Sequence, residues 1–153
     1  MNKKHLEIIA HSGDSIIWIG FSVIMLLSLN REIQVFGLMI AGSTLIASIL
    51  SSLIKIIFRK ERPIKDEYKQ YAPWAKYDMS SFPSGHLSRI SAVAFTLGYF
   101  FPFTLIVMGP YVCLMWYSRQ KLGYHYFSDL AGGIVVGIIS AAISAWVKLS
   151  FNI

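Results

Sequence analysis

The chain has 153 residues, 55% of them hydrophobic and only 14% charged, with a formal net charge of +6. A soluble domain of this length cannot hide so much apolar surface, which excludes a water-soluble globular protein and predicts a membrane-embedded one. The basic residues are clustered rather than spread, which suits anionic headgroups or phosphate and speaks against a nucleic-acid partner.

Residues 1–14 hold Lys3, Lys4, His5, Glu7 and His11 around a few aliphatics. Their apolar run, Ile8-Ile9-Ala10, is too short for a signal-peptide core and reads as a retained segment lying in the membrane interface. Five apolar runs follow and predict spans over about 15–29, 33–58, 87–101, 103–117 and 126–146. The first, third and fourth fall short of the roughly 20 residues a bilayer core needs, so they draw on flanking polar residues or a thinned bilayer. Pro102 marks a tight turn, and Pro110 is expected to kink the fourth span. In the fifth, Gly132, Gly133 and Gly137, with Ala131, Ala141 and Ala142, favour close helix packing. Cys113 is the single cysteine and lies inside an apolar run, which excludes an intramolecular disulfide and speaks against a thiolate metal site. The one long loop, 59–82, interleaves Arg59, Lys60, Arg62, Lys65, Lys69 and Lys76 with Tyr68, Tyr71, Trp74 and Tyr77. Its aromatics recur every three residues, which predicts a short amphipathic helix in the interface. The expected fold is all-α: one membrane-embedded domain over 1–153, a polytopic helical bundle of about five spanning helices with an N-terminal interfacial helix.

If all five runs cross, the end of the second, the start of the third, the end of the fourth and the start of the fifth share one face. Three polar clusters then converge. Lys55 and Arg62 are seven residues apart, with Pro63 closing the helix. Pro83-Ser84-Gly85-His86 stands directly before an apolar run, where free backbone N–H groups and the positive end of the helix dipole make an anion site. Residues 118–129 bring Arg119, His125 and Asp129; the last two are four apart, so on a helix the carboxylate can hold the imidazole. Each cluster also has an ordinary reading, as snorkelling cations and interfacial histidines at helix ends. Together they supply the inventory of a phosphoryl transfer without a metal: cations and amides for the equatorial oxygens, a nucleophile in line, and an acid for the leaving oxygen.

Lys55 with Arg62-Pro63, then Pro83-Ser84-Gly85-His86, then Ser118-Arg119 with His125 and Asp129, resembles the three-part signature of the type 2 phosphatidic acid phosphatase superfamily in order and spacing. The resemblance implies a lipid phosphatase that needs no cofactor and no metal. It casts His125 as a nucleophile forming a phosphohistidine and Asp129 as its orienter. His86 becomes the acid for the leaving group and then the base for water, while Lys55, Arg62, Ser84, Gly85 and Arg119 grip the phosphate. Many membrane members have six spans, the first motif ending the third; here it ends the second, which implies a shortened form. The implied partner is a lipid in the bilayer, an isoprenyl diphosphate, phosphatidylglycerophosphate or a lipid A-type 1-phosphate; nothing in the sequence speaks to oligomeric state. A phosphotransferase using the same residues and a non-catalytic lipid-binding protein are the competing expectations, the second disfavoured because no signature residue is missing. Arg89 is expected either near the phosphate or paired with Asp78 or Glu61; Lys60, Lys65, Lys69, Lys76 and Lys121 read as a solvated basic rim, and His5 and His11 as incidental. The positive-inside rule puts the lysine-rich face in the cytoplasm, whereas bacterial members of the resembled family typically face the periplasm. The expectation taken here is an inner-membrane protein whose site faces outward.

Overall fold

The structure, a computed structural model, describes residues 2–63 and 80–151. Tyr68, Tyr71, Trp74, Tyr77, Lys65, Lys69, Lys76 and Asp78, with the interfacial helix expected around them, lie outside the described residues. Among the described residues six α-helices follow in order: α1 (Lys3–His11), α2 (Ser15–Leu26), α3 (Arg31–Phe58), α4 (Gly85–Phe100), α5 (Leu105–Lys121) and α6 (Phe127–Phe151). A 3-10 turn at Pro102–Thr104 joins α4 to α5. There is no strand among the described residues, and the all-α expectation holds.

Local chemistry sets several boundaries. Asn30 caps α3, its side chain accepting from the N–H groups of Glu32 at 2.8 Å and Ile33 at 3.4 Å. α2 stops at Leu26, earlier than its apolar run, where Gln34 Nε2 donates back to the Ser28 carbonyl at 2.8 Å and fixes the turn. α4 and α5 take in polar flanks as expected, beginning at Gly85 and ending at Lys121. Pro110 lies inside α5, which continues through it.

α3 and α6, with 28 and 25 residues, are long and apolar enough to cross a membrane. α1 and α2 reach the same mark only together, as a pair bent by 49° at the turn between them. α4 and α5 are shorter, with 16 and 17 residues. α4 is the central helix, packed on α6, α3 and α5. Its Leu87, Ile90 and Val93 are buried with Ile40 of α3, Met115 of α5 and Leu130 of α6. Small residues let α4 and α6 approach: a Cβ on Gly137 would stand 2.6 Å from the Ser88 carbonyl oxygen, and one on Gly133 2.8 Å from that of Ser84. Interior hydroxyls satisfy one another across helices, Ser51 on Ser88 at 2.9 Å and Thr96 on Ser43 at 3.0 Å.

The outside is the inverse of a soluble surface. Ile16, Ile24, Ile57, Ile106, Val107 and Leu149 are all strongly exposed. So much open aliphatic surface is stable only against lipid, and the chain is an integral membrane protein.

Candidate active site

Two turns and four helix ends meet at one end of the bundle. At the end of α3, Arg59 adopts a left-handed φ of 44° while its N–H still bonds to the Lys55 carbonyl at 3.1 Å. The chain therefore leaves the helix sharply, and Lys60 to Arg62 pass over the other helix ends. Both edges of the long loop are stitched together, Ser81 N–H to Lys60 O at 2.6 Å and Lys60 N–H to Ser80 Oγ at 3.1 Å. The start of α4 is tied to α6 by Ser84 N–H donating to the Asp129 carbonyl at 2.9 Å. At the end of α5, Gly123 takes φ 74°, a left-handed conformation that glycine enters without a Cβ clash. That turn carries the chain back so that His125 points into the cluster.

His125 is buried, with 3% of its surface exposed. Its Nδ1 lies 2.9 Å from the Ser81 carbonyl oxygen, and a carbonyl only accepts, so Nδ1 carries the proton. Its Nε2 faces two guanidinium groups, Arg62 Nη1 at 3.4 Å and Arg119 Nη2 at 3.5 Å. Two donors aimed at one ring nitrogen require a lone pair there. Burial, opposed by Asp129 and reinforced by Arg119, Arg62 and Lys55, pushes the His125 pKa down to about 3. The result is a neutral imidazole with its free lone pair among cations.

Asp129 is fully buried, but the direct hydrogen bond to His125 expected from their spacing is not made. Its Oδ2 stands 3.9 Å from His125 Nδ1, beyond hydrogen-bond reach. Instead the carboxylate accepts a short bond from the Ser81 hydroxyl, another from Tyr126 N–H at 2.8 Å, and a third from Lys60 Nζ at 2.6 Å. Asp129 thus holds Ser81, and the Ser81 carbonyl holds the imidazole. Lys60 is correspondingly not a solvated rim residue: it pairs with Asp129, bonds to Ser128 Oγ at 2.8 Å and lies 4.7 Å over the Tyr126 ring.

The remaining predicted residues gather around the start of α4 and the end of α5. Ser84 is the N-cap of α4, yet its buried hydroxyl makes no capping bond and has no hydrogen-bond partner among the described residues. A Cβ on Gly85 would lie 3.3 Å from Arg89 Nη1 and 3.9 Å from Lys55 Nζ, so both cation tips converge on the bare backbone there. Arg89 therefore lies beside Lys55 and Gly85, two of the residues expected to grip phosphate. Arg119 is 1% exposed and stacks over the Tyr124 ring at 4.9 Å, while Arg62 donates to the Tyr124 carbonyl at 3.3 Å. Tyr124, which had no expected role, positions both arginines.

His86 has a partner that the motifs do not show. Its Nε2 meets Asp14 Oδ1 at 2.6 Å, and His11 Nδ1 lies 3.6 Å from the other oxygen of that carboxylate. The whole α1–α2 turn is latched over the site: Arg89 Nε donates to Gly13 O at 3.3 Å, Arg119 Nη1 to Ala10 O at 3.4 Å, and the Tyr111 hydroxyl to Ser12 Oγ. Neither Asp14 nor Ser81 is apparent from the motifs. The one available signal for Asp14 is that it is the only acidic residue between Glu7 and Glu32, standing beside Gly13 between two apolar stretches.

An uncapped helix N-terminus, converging cations and a buried neutral imidazole meet at one end of an apolar bundle, a chemistry that suits an oxyanion. The family model of the PAP2 superfamily matches residues 36–152, and the chain belongs to that superfamily. It is 29% identical over 138 residues to the decaprenylphosphoryl-5-phosphoribose phosphatase of Mycobacterium tuberculosis, covering 88% of this chain and 74% of that protein. To the undecaprenyl-diphosphatase of Sulfolobus acidocaldarius it is 27% identical over 126 residues, covering 82% of this chain and 60% of that protein. The fold is similar to that of the transmembrane PAP2-type phosphatidylglycerolphosphate phosphatase from Bacillus subtilis, with a TM-score of 0.72 at 23% identity, over 97% of this chain and 77% of that one.

Proposed function

We propose that this protein is a metal-independent lipid phosphatase that removes phosphate from an isoprenyl phosphate or diphosphate through a phosphohistidine on His125. The observation that carries the reading is the two-sided clamp on His125, with Nδ1–H on the Ser81 carbonyl and the Nε2 lone pair between Arg62 and Arg119. A bound phosphoryl group takes over the arginine donors, with Lys55, Arg89, Ser84 Oγ and the Gly85 backbone on its remaining oxygens. His125 Nε2 then attacks phosphorus, the P–O bond to the lipid or the departing phosphate breaks, and His86 protonates the leaving oxygen. Water cleaves the P–N bond in the second half, giving its proton to His86.

Four fixed cations supply the charge that a metal supplies elsewhere, and Asp129 is committed to Lys60, Ser81 and Tyr126. The lipid class is proposed from the two relatives whose names specify isoprenyl substrates. The orientation proposed is an inner-membrane protein with the site at the outer face.

The test is phosphate release from undecaprenyl diphosphate, phosphatidylglycerophosphate and lipid A by the purified protein in detergent with EDTA present. The expected result is release that is fastest from the isoprenyl substrate, and an acid-labile, alkali-stable phosphoryl label trapped by quenching. His125→Gln lowers turnover by about 10³-fold or more and carries no label. Full activity in His125→Gln, or activity that EDTA abolishes and Mg²⁺ restores, overturns the mechanism.

A further inference from the structure

The α1–α2 turn brings a third group to the pair that holds His86. His11 Nδ1, an Asp14 carboxylate oxygen and His86 Nε2 all lie within 4.8 Å of one another. Asp14 stands between the two imidazoles, with Oδ1 on His86 at 2.6 Å and Oδ2 on His11 at 3.6 Å. The two rings approach edge to face, their centroids 6.3 Å apart. Two imidazoles and one carboxylate, with a fourth position open to water, are the donor set of a zinc-class ion.

We propose that His11, Asp14 and His86 form a binding site for a divalent transition metal, and that its occupancy inhibits the phosphatase. The site differs from the phosphate cluster in chemistry and in solvent access. Its outer ligand, His11, is 62% exposed in its side chain and Asp14 43%, while His86 is 13% exposed, so an ion arrives from water and ends on the inner histidine. Ligands at roughly 2.0–2.2 Å from one tetrahedral ion stand about 3.4 Å apart, so the ion enters by parting Asp14 from His86, now 2.6 Å apart in a hydrogen bond, while His11 draws in. Arg89 and Arg119 flank the turn through the Gly13 and Ala10 carbonyls. Their positive charge weakens the site, which fits a reversible inhibitor better than a permanent structural ion.

The inhibitory consequence rests on the role proposed above for His86. A metal on Nε2 fixes the His86 ring towards Asp14 and bars its protonation to imidazolium, so His86 cannot serve as acid and then base while the phosphate grip stays intact. His11 has no part in that chemistry and is the residue to change.

The experiment uses the full chain purified in detergent, with Zn²⁺ as inhibitor and Co²⁺ as a spectroscopic probe. Wild type is expected to bind one metal per chain in equilibrium dialysis at micromolar Zn²⁺ and to show a Co²⁺ visible absorption band of low-coordinate type. His11→Ala is expected to lose both. On an isoprenyl diphosphate, micromolar Zn²⁺ is expected to lower wild-type turnover at least about tenfold with recovery on adding chelator. His11→Ala keeps its basal activity and needs at least about tenfold more Zn²⁺ for the same inhibition, as loss of a ligand predicts. Equal Zn²⁺ sensitivity in the two proteins, or no metal bound by wild type at micromolar Zn²⁺, overturns the proposal. If neither protein hydrolyses any lipid phosphate, the assignment of His86 fails, and the binding comparison still decides the metal site by itself.

Discussion

His125 is buried among Arg62, Arg119 and Lys55, and protonating it would add another positive charge in a space closed to water. Folding lowers its pKa from the ordinary 6.5 to about 3, so between those values the unfolded chain binds a proton that the folded chain refuses. This cost is absent above pH 6.5 and grows as the pH falls towards 3. Thermal melts in detergent at pH 7 and pH 4.5 are expected to show a steep loss of midpoint in wild type and a flatter one in His125→Gln, which cannot take the proton. Parallel losses in the two would show that another group controls acid stability. Lys60 makes a second prediction at this scale. It touches Asp129 and Ser128 rather than the phosphate side, so Lys60→Met leaves a buried carboxylate without its cation. The midpoint is expected to fall, and kcat to drop about tenfold through a loosened Ser81, with KM nearly unchanged. A raised KM with kcat intact would instead make Lys60 a lipid-contacting cation. The motif residues were legible in the sequence because each sits at a helix end beside a proline, a glycine or an apolar run. Ser81, Lys60 and Asp14 were not. Their roles arise from the path of the chain after Arg59 and from the α1–α2 turn, and no local pattern encodes either.

At the scale of elements, the active-site geometry is set by how closely α4 and α6 approach. α4 and its N-cap carry Ser84, Gly85 and His86, and α6 carries Asp129, so any spread between the two helices opens the site. Gly137 is the tightest point: a Cβ there would meet Ser91 Cβ at 2.5 Å, the Ser88 carbonyl oxygen at 2.6 Å and Ala92 N at 2.8 Å, of which two are backbone atoms that cannot rotate away. Gly137→Ala is expected to cost about 1–3 kcal/mol and to lower turnover as well. Gly20 in α2 is the control, since nothing lies within 4 Å of its added Cβ; Gly20→Ala gains helix propensity and should be neutral or stabilising by up to about 1 kcal/mol. Melting midpoints and turnover of the two variants decide it, and equal effects would remove the close-packing account. The small-residue run was readable in the sequence as a packing face, and five of the helices fall on the five apolar runs. Less readable was α1. Its short amphipathic sequence suggests a segment resting at the interface, and no local pattern tells that it also packs against α5 and gives Arg119 a carbonyl acceptor at Ala10.

For the whole molecule, the open question of physics is which way a basic end can face. α3 alone is about 42 Å long at 1.5 Å per residue, so Arg31 and the Lys55–Arg59 end lie on opposite sides of a hydrocarbon core roughly 30 Å thick. Counting cations assigns the Lys55 end to the cytoplasm. The structure weakens that count, because several of those cations are site components. Arg62 and Arg119 are buried against His125 and Tyr124, Lys60 is paired with Asp129, and Lys55 and Arg89 turn towards Gly85. A charge held inside the fold has a local function that explains its presence without reference to sidedness. The outward orientation proposed above makes a direct prediction in intact bacterial cells. In a Cys113→Ser background, a membrane-impermeant maleimide is expected to label Lys121→Cys, at the exposed end of α5 beside the site, and to leave Arg31→Cys unlabelled until the cells are opened. The opposite pattern would place the phosphate chemistry on the cytoplasmic leaflet, and the orientation proposal would fall while the residue and element predictions stood.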